Sequence, residues 1–169
     1  MQLTDIDKSR YRKHLNIVIA GFIGTLLVLA LIFGQLLIVS FGQEGVSNFR
    51  YNLLGVILSL LACAAILHQL KSSLFFAEIY YVWQLKQLQN LIFRKLKKLK
   101  LAADNDDKNA LIVLLFYYQS LQQVYHLDDN TLTINTVDKN LTDLQETIAN
   151  KNLTIRVEQF DKKLLSSYS

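Results

Sequence analysis

Residues 15–41, LNIVIAGFIGTLLVLALIFGQLLIVSF, and residues 53–70, LLGVILSLLACAAILHQL, decide the fold. Neither stretch contains Asp, Glu, Lys or Arg, and one short hydrophilic break separates them. About 20 apolar residues cross the ~30 Å hydrocarbon layer as a helix, whereas about 10 to 14 more often form a buried core element. The pair therefore predicts a two-helix transmembrane hairpin. The first run outlasts the h-region of a secretory signal, about 7–15 residues, and lacks a good small-x-small cleavage site. It reads as an uncleaved anchor.

Working outward, charge sets the expected orientation. Lys8, Arg10, Arg12 and Lys13 precede the first run, while residues 42–52 carry only Arg50, balanced by Glu44. Lys71, Lys86 and the cluster Arg94 to Lys100 follow the second. Positive charge is retained on the cytoplasmic side. The expectation is an inner-membrane protein with both termini cytoplasmic. It comprises an N-terminal tail over 1–14, a hairpin over 15–70 with a periplasmic loop at 42–52, and a cytoplasmic helical domain over 71–169. The whole is an all-α membrane protein. The 169 residues hold 18 Lys+Arg against 14 Asp+Glu. A surplus of +4 is accounted for by cytoplasmic flanks and does not imply nucleic acid.

Beyond Leu70 the pattern stays helical, with no Gly or Pro to stop it. Leu85, Leu88, Ile92, Leu96, Leu99 and Ala103 recur every three or four residues, as one face of a helix does. The acidic stretch Asp104 to Asp107 reads as a turn and a new helix start. A very apolar helix follows over Lys108 to Leu127, broken by Asp128-Asp129-Asn130. A third is expected from about Thr136, with Val137, Leu141, Leu144 and Ile148 at the heptad spacing of a coiled coil. After a turn at Ala149 to Asn152, Leu153, Val157, Phe160 and Leu164 suggest a last short helix. A strand there would have nothing to pair with.

Small residues recur along both apolar runs: Ala20, Gly24, Ala30 and Gly34 on the first, Gly55, Ser59 and Cys63 on the second. Such stripes let helix backbones approach closely in lipid. Packing within one chain and packing between copies both fit them.

Chemistry is sparse. One cysteine, Cys63, excludes an internal disulfide, and one Cys with three scattered His cannot frame a zinc site. No phosphate-binding glycine loop, paired-His helix motif or nucleophile elbow occurs, so no catalytic residue, metal or cofactor is assigned. His14 and His68 fall at one end of the hairpin and are the weak ligand candidates for haem or metal. The ordinary reading places both rings at the headgroup level. Arg94, Lys95, Lys97, Lys98 and Lys100 form a basic patch without interleaved aromatics, which reads as a solvated face. Phe75, Phe76, Tyr80, Tyr81 and Trp83 suit an interfacial belt, or in part the soluble core.

Asn48-Phe-Arg-Tyr-Asn-Leu-Leu-Gly55, Ala77-Glu-Ile-Tyr-Tyr-Val-Trp-Gln-Leu-Lys86, Phe116-Tyr-Tyr118 and Leu127-Asp-Asp129 carry a resemblance. The chain resembles a proteobacterial family of short two-span membrane proteins that bears only a domain-of-unknown-function label. The resemblance implies a bacterial inner membrane, supports the topology and supplies no activity to transfer. The expected function is a non-enzymatic interaction or scaffold protein. Its partners would be membrane lipid and either another protein or copies of itself, with no nucleic acid. The alternative is a channel or transporter accessory built from several copies, with Asn16, Thr25 and Gln35 facing a path. An enzyme or redox subunit using His14 and His68 ranks third.

Overall fold

The computed structural model describes residues 1–168, and among these the chain is helical with no strand. Six α-helices follow in order: α1 (Lys8–Phe41), α2 (Phe49–Leu70), α3 (Ala77–Phe93), α4 (Leu96–Asp104), α5 (Lys108–Leu127) and α6 (Thr131–Asn150). Two 3₁₀ turns, Val157–Gln159 and Lys162–Tyr168, complete the chain. Residues 12–80 form one compact unit, and residues 1–11 with those from 81 onward form the other.

The first unit rests on α1 and α2. At ~1.5 Å per residue α1 is about 51 Å long. Asp7 starts it, its Oδ1 accepting from the Arg10 amide at 2.7 Å. Both helices are long and apolar enough to cross a membrane, and only 6% and 17% of their most apolar stretches are buried. The loop between them is shorter than expected. The Asn48 carbonyl accepts from the amides of Tyr51 and Asn52, both at 3.1 Å, so α2 begins at Phe49 and only residues 42–48 remain irregular. Gly45 takes a left-handed φ of 77° there, a conformation that costs glycine little.

The helix expected to continue past Leu70 is interrupted. Residues 71–76 make tight turns, with the Ser73 amide bonding the Leu70 carbonyl at 2.9 Å and Phe76 the Ser73 carbonyl at 3.1 Å. No Gly or Pro marks the break. Ser72 and Ser73 fall in these turns, serine being a poorer helix former than the leucines before it.

In the second unit α5 is central and packs against α4, α6 and both 3₁₀ turns. That role explains its composition: Leu111, Val113, Leu114, Phe116, Tyr117, Val124 and Leu127 are all buried, on every side of the helix. Asp107 caps it, Oδ1 accepting from Asn109 at 2.8 Å and Ala110 at 3.3 Å. The expected apolar faces are the buried ones, apart from a half-buried Leu96: Leu85, Leu88 and Ile92 on α3, Leu99 and Ala103 on α4, and Val137, Leu141, Leu144 and Ile148 on α6. The α3–α4 pattern keeps its phase across a tight turn at Arg94 and Lys95. Helix α6 starts at Thr131, ahead of the expected Thr136, directly after Asn130. Asp106, Asp129 and Asn152 adopt φ of 65°, 55° and 52°, one at each turn foreseen from sequence. Asp and Asn visit this region more readily than other side chains do.

The last segment is neither the expected α-helix nor a strand. Gln159 Oε1 accepts from the Arg156 amide at 2.8 Å, and Asp161 Oδ1 from Lys163 at 2.8 Å. These side chains take amides that a continuous helix would use, leaving short 3₁₀ turns. Phe160 is instead held by stacking on Phe116, ring centroids 3.9 Å apart and planes within 10°.

Candidate functional site

The N-terminal segment, read from sequence as a tail, is part of the helical unit. The Thr4 amide donates to the Tyr81 hydroxyl at 2.9 Å, and that hydroxyl donates to the Gln2 carbonyl at 3.3 Å. Gln123 Nε2 donates to the Thr4 carbonyl, and Lys8 pairs with Asp129. Tyr11 is 2% exposed and its hydroxyl reaches Asp128 Oδ1 at 3.4 Å. The other oxygen of Asp128 holds Lys86 Nζ at 2.7 Å. Asp128 thus joins the chain's start to α3. Sequence reading assigned it only a turn, because its partner Tyr11 lies far away along the chain.

A second buried polar pair joins α3 to α5. Gln89 Nε2 donates to Ser120 Oγ at 3.1 Å, and that hydroxyl donates to the Tyr117 carbonyl at 2.8 Å. Buried groups carry a large penalty when unpaired, and here the contact runs through to the backbone. Burial pushes the Tyr117 phenol up to about 12, helped by the neighbouring phenols Tyr118 and Tyr125. Tyr168 is also pushed above the usual phenol range, by burial first, then by its hydrogen bond to Asp107 and that carboxylate's charge.

In the unit of residues 12–80, α1 and α2 meet at glycine. A Cβ on Gly55 would lie 2.5 Å from Gly34 N, 2.7 Å from Gly34 Cα and 3.1 Å from the Ala30 carbonyl oxygen. Gly34, Gly55, Ser59 and Cys63 are buried, and Ser59 turns its hydroxyl onto the Val56 carbonyl at 2.7 Å. Ala20 and Gly24 are exposed, and a Cβ on Gly24 would meet nothing within 4 Å. The stripe is therefore split into a tight half and an open half.

His14 lies against Phe75 at a ring distance of 4.2 Å, while both nitrogens of His68 face Lys71 Nζ, at 3.3 and 3.4 Å. No group of three or more His, Cys, Asp or Glu able to hold a metal occurs among the described residues. In the basic run, Lys95 Nζ donates to the Tyr168 carbonyl at 3.3 Å, tying the α3–α4 turn to the C-terminal segment. Arg94, Lys97, Lys98 and Lys100 are exposed.

Fold and contacts together define an all-helical protein that carries two candidate membrane-crossing helices. The chain belongs to the family described as Protein of unknown function (DUF3087), which matches residues 1–165. The resemblance carried by Asn48–Gly55 and Ala77–Lys86 thus extends over nearly the whole chain. No curated protein and no solved structure matches it.

Proposed function

We propose that this protein is a non-enzymatic scaffold of a bacterial inner membrane, with α1 and α2 embedded in lipid and both termini in the cytoplasm. The observation that carries the reading is the packing of residues 1–11 into the unit of residues 81–168. Segments that share a core share a compartment, and an even number of crossings must lie between them. Two crossings meet that requirement. The outward apolar surface of α1 and α2, including Leu27, Leu31, Val39 and Leu61, gives lipid a face to cover. The bias of Lys and Arg toward both flanks of the hairpin supports the cytoplasmic side.

The polar clusters of the helical unit support a binding role over catalysis. Asp107, Asp128, Gln89 and Ser120 each hold one element to another. That unit leaves Phe93, Leu101 and Leu132 exposed, apolar side chains a protein partner could cover. Gln35 is exposed beside Leu31, Ile32 and Val39, and an amide on an otherwise apolar face favours self-association in lipid. The channel-accessory reading requires the same contact between copies and adds Asn16 and Thr25 as path-facing groups.

Cysteine labelling in intact cells tests the topology, with Cys63→Ser as background. A thiol at Gln43 should react with an impermeant reagent, and one at Asn109 should react only after lysis. The opposite pattern sinks the orientation. Photo-crosslinking from positions 93 and 132 in native membranes should then capture one stoichiometric protein partner. Recovery of the chain alone would remove the scaffold proposal.

A further inference from the structure

From their contact at Gly34 and Gly55, α1 and α2 leave an apolar cavity toward their other end. It measures about 230 Å³ and is walled by Ile17, Gly21 and Thr25 on α1 and Cys63 and Leu67 on α2, with Phe75 across one end. We infer that this cavity seats an acyl chain of an anionic phospholipid, a proposal that rests on the membrane reading above. Apolar walls alone would accept any hydrocarbon, and charge at the same end narrows the choice. Arg12 and Lys13 lie one turn before Ile17, and Lys71 directly follows Leu70, another lining residue. Glu78 is the one carboxylate near that end in residues 12–80, since Glu44 belongs to the far loop. An excess of cations beside an apolar slot suits a negatively charged headgroup over a zwitterionic one. Phe75 also packs against His14, whose Nδ1 is buried with no hydrogen-bond partner among the described residues. Buried polar atoms are nearly always paired, and a headgroup oxygen would supply the missing partner.

The cavity is open to a clean test because Gly21, one of its walls, has nothing within 4 Å of the position a Cβ would take. Gly21→Leu should fill the slot without displacing backbone, and Thr25→Leu is the second variant should that one misfold. The full chain is reconstituted in vesicles of equimolar phosphatidylglycerol and phosphatidylethanolamine, washed in carbonate, extracted in mild detergent and weighed by native mass spectrometry. The expected species retains one phosphatidylglycerol. Gly21→Leu should cut retention about tenfold, as excluding two buried methylenes would. Lys71→Gln should keep a lipid but lose the preference for phosphatidylglycerol. Release by the carbonate wash would overturn the membrane reading and this proposal together. An embedded protein that retains no lipid, retains both lipids equally, or binds as well with Gly21→Leu would overturn the lipid site alone.

Discussion

The phenol of Tyr168 donates a 2.8 Å hydrogen bond to Oδ2 of Asp107, whose other oxygen caps the first turn of α5. One carboxylate therefore starts the central helix and anchors the C-terminal segment. Tyr168→Phe removes one bond to a charged acceptor and should lower stability by about 1–2 kcal/mol. Asp107→Ala removes cap and anchor together and should cost more than Tyr168→Phe. Chemical denaturation of the two variants measures the difference, and equal losses would contradict the shared role.

Tyr117 makes stability depend on alkaline pH. Its folded phenol is held up to about 12 while the unfolded phenol ionises near 10, so the folded state keeps the proton longer. The stabilisation is complete below pH 10 and is lost as pH rises from about 10 to 12. Denaturation midpoints at pH 9 and 11 should differ in the parent chain, and Tyr117→Phe should shrink the difference.

Gly55→Ala places a methyl carbon against the backbone of Gly34, which cannot rotate aside. The hairpin must open or shift, at an expected cost of about 1–3 kcal/mol. Gly24→Ala meets open space and should leave the thermal midpoint in detergent unchanged or slightly raised. If both substitutions behave alike, the close crossing of α1 and α2 is refuted.

Tyr11 fills a buried site shaped by the helical unit. Tyr11→Ala should destabilise that unit by about 3 kcal/mol, in the range of buried aromatic truncations. Tyr11→Phe should cost well under half of that, since the bond to Asp128 is long at 3.4 Å. Hydrogen exchange of the full chain reads the effect in α3 and α5, and protection unchanged by Tyr11→Ala would show the first residues to be dispensable.

Much of the helical plan was legible because period and punctuation agree. The span Lys108–Leu127 was read residue for residue, since Asp107 and Asp128 bound an unbroken apolar helix. Faces such as Val137 to Ile148 follow from spacing alone. The break at 71–76 was not legible, because no Gly or Pro marks it and serine disfavours a helix only weakly, without the absolute bar that proline sets. The C-terminal segment was misread for another reason: Gln159 and Asp161 compete locally for amides, and the stacking of Phe160 on Phe116 lies beyond any sequence window. Of the site residues, Gly34 and Gly55 came together while Ala20 and Gly24 stayed apart, a distinction set by the line of helix crossing and not by spacing. Asp128 was invisible as a junction because nothing in its neighbourhood points to Tyr11.

The union of residues 1–11 with those beyond 80 makes the helical part a discontinuous domain, and the two apolar helices an insert within it. A ribosome releases the first wall of that domain long before the last, so Tyr11 must wait, unburied, until α5 emerges. A fragment cut after the second apolar helix lacks that wall from birth and leaves the Tyr11 site empty. Chains begun at residue 71 or 81 should accordingly yield loosened, poorly soluble material, whereas a chain joining residue 11 to residue 81 through a short flexible linker should restore the missing piece.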